Sequence, residues 1–456
     1  MTPGATRPTL RLTLPAPTPA TAMRNVRAFP VLAVLALLAL ASPGTAGAQA
    51  AGDYDAQVRT LMGHPAVRRA LEHVEATDAR TMADLRTLTE IPAPPFMEEE
   101  RGRAFLEMLQ DAGVDSAWVD EIGNVIGLRR GTGGGSVLAL AGHLDTVFPP
   151  ETDVSIRESG DTLFAPGIAD DTRGLATVLA VLRALNAADV RTEGDILFIG
   201  NVGEEGEGDL RGMKHLFREG GPRIDAFVSV DGTGDSGITH MGLGSHRYRV
   251  TFEGPGGHSW GAFGLANPHH ALGRAIRHFQ DGADPYTGGA PYRTSYNVGV
   301  IGGGTSVNSI PFESWMVIDM RSEGVETLEA VDAILQGAIQ RALAEENALR
   351  KRGEPLTVDV ELIGDRPSGE IAESHAYVQQ AAAVTRALGL EPSFGRSSTD
   401  ANIPISMGIP AITVGGGGQG FGAHSLDEWF RNVNGPRGVQ RVLLIALAEV
   451  KVARTS

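Results

Sequence analysis

The sequence predicts an α/β protein with a mostly parallel central sheet and a smaller α+β sandwich inserted into it. Three observations carry that expectation. The chain has 456 residues, too many for one compact core. From about residue 137 to 230, short apolar runs alternate with longer amphipathic segments, the pattern left by strand and helix in turn. From about Gly244 the rhythm changes to half-buried strands and two helices in the order βαββαβ, and after residue 365 the first rhythm resumes.

Taken from the start, Met23-Arg24-Asn25-Val26-Arg27 is a short basic opening, Val31 to Ala41 is an unbroken run of Val, Leu and Ala, and Ser42 to Ala50 is small and turn-rich. That is the layout of a secretory signal cleaved after Ala50. The apolar run falls short of the roughly 20 residues a spanning helix needs, so no stable membrane insertion is expected after cleavage. The expected location is periplasmic or secreted. Residues 1–22 are rich in Pro, Thr and Ala and would bury the signal, which places the expected translation start at Met23.

Helices are read over Val58 to Leu71, Ala79 to Leu88 and Glu98 to Ala112, the last two parted by a turn that Pro92, Pro94 and Pro95 force. Strands at Val137 to Ala141, Ile196 to Asn201 and Ala226 to Val230 alternate with helices at Leu175 to Leu185 and Met213 to Glu219. The inserted part reads as strands at Tyr248 to Phe252, Ser295 to Ile301, Ser314 to Met320 and Leu356 to Leu362, with helices from Pro268 to Phe279 and Val325 to about Leu349. A helix from Ser374 to Leu388, a strand at Ala411 to Val414 and a helix to Val452 close the chain. The expected organisation is a signal over 1–50, a catalytic unit built from 51–243 and 366–456, and an inserted domain over 244–365.

Formal net charge is −16. The first fifty residues hold Arg7, Arg11, Arg24 and Arg27 and no acid; the rest carries 35 of the 39 basic side chains against all 55 acidic ones, a net of −20. Such a surface repels a phosphate backbone, so nucleic acid is not an expected partner. There is no cysteine, so no thiolate serves as nucleophile or ligand, and any metal site must use His, Asp and Glu.

Candidates for that chemistry cluster after the apolar runs. Leu138 to Ala141 leads into Gly142-His143-Leu144-Asp145-Thr146; residues two apart share a strand face, and Asp145 could fix the tautomer of His143. By itself this reads rather as a hydrogen-bonded His-Asp pair at a strand end. Asp170 and Asp171 open a helix after a glycine turn, as ligands or as caps for its N-terminus. Glu204 and Glu205 follow the strand ending at Asn201: one carboxylate can hold a metal while its neighbour serves a bound water as general base. Asp231 closes a further strand, and His424 lies in a glycine-rich segment. Each has a bland structural reading. Five such groups at strand ends or adjoining loops of one α/β domain together point to a pair of ions bridged by a shared carboxylate.

Gly142-His143-Leu144-Asp145-Thr146, Gly167-Ile168-Ala169-Asp170-Asp171, Gly203-Glu204-Glu205-Gly206 and Ala423-His424-Ser425 occur in the order of a known set of motifs. From about Ala79 to its C-terminus the chain resembles the zinc metallopeptidase family of glutamate carboxypeptidase, aminoacylase, acetylornithine deacetylase, succinyl-diaminopimelate desuccinylase and tripeptide aminopeptidase. The resemblance implies a zinc-exopeptidase-like catalytic domain with a lid and dimerisation insert, and two zinc ions, with cobalt or manganese as substitutes. It implies that Asp170 bridges the ions, that Glu205 and His424 complete one site, and that His143 and Asp231 complete the other. Glu204 would be the general base and Asp145 the residue that orients His143. The lid histidine would be His258 in Gly256-Gly257-His258-Ser259, stabilising the oxyanion and reaching across a homodimer; Asn308 and Arg321 match substrate-contacting positions. Asp231 in place of Glu resembles the aminopeptidase and dipeptidase members, so the expected substrate is a short peptide. A deacylase or carboxypeptidase on the same site is the alternative. His215, His240, His246, His269, His270, His278 and His375 fit no motif and read as surface or structural.

Overall fold

The computed structural model describes residues 53–454, and the expected signal over 1–50 lies outside them. Among the described residues no helix is long and apolar enough to cross a membrane.

The central sheet has nine strands. Four of them, Ile196–Asn201, Leu138–His143, Ala226–Val230 and Ala411–Val414, run parallel side by side in that order, and all four are buried throughout. Continuous runs such as Leu-Ala-Leu-Ala and Ile-Leu-Phe-Ile suit strands covered on both faces. Helices Pro65–Ala76, Thr172–Ala187 and Gly435–Val450 supply the cover, joined to the strands in one apolar core that includes Val67, Leu140, Leu179, Phe198, Phe227 and Leu443. The parallel core is flanked by antiparallel strands: the hairpin Ser116–Val119 with Val125–Arg129 on one side, and Gly237–Gly242 on the other.

Residues 244–366 build a separate four-stranded antiparallel sheet with the spatial order Thr294–Gly303, Glu313–Ser322, Gly244–Glu253, Thr357–Arg366. Helices Pro268–Gly289 and Val325–Leu349 pack on one face, burying Val250, Phe252, Met316, Ile318 and Met320 against Phe279, Leu335 and Ile339. Along Glu313–Ser322 burial alternates residue by residue, as a sheet covered on one face requires.

The elements differ from the sequence reading in three respects. The helix read over Val58 to Leu71 is two, Tyr54–Gly63 and Pro65–Ala76, because Pro65 drives His64 out of helical geometry (ψ 129°) and opens a new helix at its own first position. The helix read to Phe279 continues to Gly289 through Pro285. Several short strands were not expected, among them Ser116–Val119, Arg157–Ser159, Thr162–Phe164, Gly237–Gly242 and Ser393–Ser397; most of these have few buried residues and so no clear apolar signal. Arg157–Ser159 and Thr162–Phe164 join Trp429–Arg431 and Gln419–Phe421 in a small antiparallel sheet, which lays the segment around His424 beside the loop that leads to Asp170.

Candidate metal centre

The parallel strands are in register, with His143 opposite Asn201 and Val230 opposite Val414, so their carboxyl ends open onto one edge where loops converge. Close packing sets that edge. At Gly174, on the first turn of helix Thr172–Ala187, a Cβ would lie 2.0 Å from the Val230 carbonyl oxygen, so only glycine lets the helix approach the strand that ends in Asp231. Gly203 sits at φ +67° against Arg211, and the turn it permits presents Glu204 and Glu205.

The structure brings His143, Asp170, Glu204, Glu205, Asp231 and His424 together. His143, Asp170 and Asp231 form one group, and Asp170, Glu205 and His424 another; within each, the potential ligand atoms lie within 4.8 Å of one another. His143 Nε2 is 3.0 Å from Asp170 Oδ1, while His424 Nε2 is 3.3 Å from Asp170 Oδ2 and 2.9 Å from Glu205 Oε1. A third group of His143, Glu204 and Glu205 satisfies the same distance. Asp171 turns away from them: its side chain caps the helix through Gly174 N–H and accepts from His143 N–H.

The electrostatics fit a cationic occupant. Four carboxylates, Asp170, Glu204, Glu205 and Asp231, line one cavity of about 400 Å³. Burial raises the Asp231 carboxyl well above the usual carboxylate range, and neighbouring Asp170 pushes it further. Burial also raises Glu204, against the pull of Arg366. Asp170 is held low despite its burial, through hydrogen bonds with His143 and His424. His424 is pushed up to about 10 by its contacts with Asp170 and Glu205. Two imidazoles and a surplus of carboxylates, all oxygen or nitrogen donors, match a zinc-type ligand set. The residues therefore fit two divalent ions, with Asp170 common to both groups.

Asp145 corrects one expectation. The nearer partner of His143 Nδ1 is the Asp145 main-chain oxygen at 3.0 Å; the carboxylate oxygen is 3.8 Å away. That carboxylate, fully buried, instead accepts from the amides of Glu204 (3.0 Å) and Glu205 (2.8 Å). Two convergent N–H groups are the better donors, so Asp145 orients His143 by its backbone and the two glutamates by its side chain.

Arg321 lines the cavity, paired through Nε with Asp319 at 2.8 Å. His258 and Asn308 do not. They sit together on the inserted domain, where the short strands Gly257–His258 and Ser309–Ile310 pair; His258 is exposed and its Nδ1 accepts from Trp260 and Gly261 N–H. Two arginines at the cavity were missed in sequence. Arg366 donates to Glu204 Oε1 at 3.1 Å and also to the Glu204 main-chain oxygen. Arg247 donates to Asp319 at 2.9 Å and to the Gly206 oxygen at 3.2 Å. Arg247 stands on an alternating strand, where its position two residues from Ser245 gave no signal beyond periodicity. Arg366 stands where the inserted domain was expected to end. Asp400 was missed too; it accepts from Asn201 Nδ2 at 2.8 Å, and burial, with Glu204 nearby, pushes its carboxyl up to about 8.

Residues 139–448 match the model of peptidase family M20/M25/M40. The chain is 27% identical over 351 residues to a putative LysW-lysine/LysW-ornithine hydrolase of Pyrobaculum aerophilum, covering 75% of this chain and 90% of that protein. It is 27% identical over 354 residues to succinyl-diaminopimelate desuccinylase of Corynebacterium glutamicum, covering 75% and 89%. In fold it is similar to aminopeptidase PepT from Bacillus cereus, with a TM-score of 0.64 over 80% of this chain and 97% of that one at 22% identity.

Proposed function

This chain belongs to peptidase family M20/M25/M40 and is a metal-dependent hydrolase; on that premise we propose that it is an exported enzyme using two zinc ions to hydrolyse amide bonds of short peptides, as an aminopeptidase or dipeptidase. The observation that carries the reading is the pair of ligand groups sharing Asp170, with Glu204 beside them in the same cavity. His143 and Asp231 would hold one ion, Glu205 and His424 the other, and Asp170 both. When bound, the ions lower the pKa of water and polarise the scissile carbonyl.

The chain's own part follows from its geometry. Glu204 takes the proton from the attacking water and returns it to the leaving amine. Arg366, bonded to its Oε1, fixes which carboxylate oxygen is free to do so. Asp145, holding the amides of Glu204 and Glu205, keeps base and ligand on one rigid turn. His258 stabilises the oxyanion from a second copy of the chain. The exposed side chains of Trp260, Phe263, Val307 and Phe312 around it support a homodimer through the inserted domain. Export rests on the basic, apolar and small-residue layout of residues 23–50.

A second reading, deacylase or carboxypeptidase, is favoured by Arg247 and Arg321 on the cavity wall, since paired guanidinium groups suit a substrate carboxylate. It also agrees with the desuccinylase relative. One panel separates the two: zinc- or cobalt-loaded protein against di- and tripeptides, N-acyl amino acids and C-terminally blocked peptides. Turnover of free-amine peptides is expected. Turnover confined to N-acyl amino acids would replace the peptidase reading, and no turnover across the panel would remove the substrate claim.

A further inference from the structure

Glu428 is fully buried, yet none of the chemistry above uses it. Its Oε2 accepts from Gly167 N–H at 2.8 Å, and its Oε1 accepts from Ala169 N–H at 2.7 Å and Asp170 N–H at 3.0 Å. Its main-chain oxygen accepts from Ala165 N–H at 3.1 Å. Every one of those partners lies in the loop that delivers Asp170. At the same time Glu428 is four residues beyond His424 and directly precedes strand Trp429–Arg431, which pairs with Thr162–Phe164. A single residue thus joins the segment carrying one ligand to the loop carrying the shared one.

We propose that Glu428 is the positioning residue of the metal pair, a buried acceptor that shapes the 165–170 loop so that Asp170 is presented to both ligand groups. The inference rests on the metal reading above. Three convergent N–H donors need an acceptor with oxygens on both arms. A glutamine offers one oxygen, and its amide nitrogen would face a donor it cannot accept from. Charge argues the same way. A fully buried carboxylate close to Asp170 is costly in the bare fold, where Asp170, Glu205 and Asp231 already crowd together. Its three N–H donors offset part of that cost, and cations held nearby would offset more. Residues that hold a ligand's backbone or second oxygen are worth about 10–100-fold in metal affinity.

The test uses the full chain, stripped of metal and titrated with zinc(II) or cobalt(II) against a competing chelator, with melting of the metal-free protein followed in parallel. Wild type should take up two ions; if it takes up none, the metal reading itself fails and Glu428 is not the cause. Given two ions in wild type, Glu428→Gln should lose about 10–100-fold in affinity and change the visible spectrum of the cobalt form. Asp84→Asn serves as the control: it weakens the ion pairs that buried Asp84 makes with Arg80 and Arg183, none of which joins a ligand group, so it should lower melting but leave metal affinity alone. Glu428→Asp, which keeps the charge on a shorter arm, should fall between wild type and Gln. Unchanged affinity and spectrum in a folded Glu428→Gln overturn the proposal. If that variant does not fold, unchanged affinity in Glu428→Asp overturns it, and so does failure of both to fold even with metal present.

Discussion

The two large sheets of this molecule solve opposite problems. The central sheet is parallel in its middle, buried on both faces, and ends in a row of loops that hold carboxylates and imidazoles within a few ångströms of one another. The four-stranded sheet is antiparallel, covered by helices on one face only, and leaves its other face free to carry Arg247, Arg321 and Arg366 to the same cavity. Crowded like charges need a scaffold that cannot relax, and close packing from both sides provides it. The difference teaches that the ligand candidates and the arginines of the cavity wall stand on separate cores, Leu140 and Phe198 in one, Phe252 and Phe279 in the other.

That division can be broken from either side. The largest expected effect is on turnover: Glu204→Gln should lower kcat by about 10²–10⁴-fold while the melting temperature moves little, measured on whichever substrate the panel identifies. Equal losses in turnover and stability would mean that the two cores are not separate. Next comes Phe279→Ala, which removes a ring fully buried in the inserted domain and edge-on to Tyr296 at 4.8 Å. It should cost about 3–5 kcal/mol of folding stability yet leave zinc affinity as in wild type, read by denaturant melts and chelator competition.

A smaller effect sharpens the recognition side. Arg321→Ala should raise KM about tenfold for substrates with a free carboxylate and hardly alter kcat, because a wall contact made equally in ground and transition state affects binding alone. If C-terminally blocked substrates suffer the same loss, Arg321 acts through Asp319 and not through substrate.

The smallest effect is a pH dependence confined to the inserted domain. Hydrogen bonding to Asp332 raises His246, with Asp365 at 3.6 Å and Glu329 adding to it. Burial pushes Asp332 up, but bonds from His246, Tyr248 and Gln336 outweigh it and hold the carboxyl low. The imidazole's contribution is full below the ordinary histidine range and is lost as pH rises through its raised value. The carboxylate's is full above the ordinary aspartate range and is lost as pH falls through its lowered value. The pair is therefore strongest between about pH 4 and 6.5. The melting difference between wild type and His246→Gln should peak there at about 1 kcal/mol and shrink on both sides. A flat difference would show that the pair only fills space.

Much of this was legible in the chain. Leu138 to Ala141 and Ile196 to Asn201 announce buried strands, and the acids and imidazoles that follow them fall where parallel strands end. The alternation along 314–320 likewise marks a sheet covered on one side. What escaped has a common physical character. Glu428 acts through backbone amides 258 to 261 residues away, contacts that leave no local pattern. Arg366 touches Glu204 across 162 residues. Asp145 looked like a partner for the histidine two positions earlier, but the turn beyond Gly203 supplies stronger donors for its carboxylate. Periodicity reports which face a residue shares; it is silent on what folds back against it.

Arg366 ends the strand Thr357–Arg366 of the open sheet, yet its guanidinium grips both the carboxylate and the main-chain oxygen of Glu204. One residue earlier on the same strand, Asp365 N–H donates to Asp209, just beyond the same turn. The inserted domain's last strand and the turn bearing Glu204 are therefore tied together at two adjacent residues. Any outward displacement of that strand would act on Glu204 directly, through the two bonds that Arg366 makes to it.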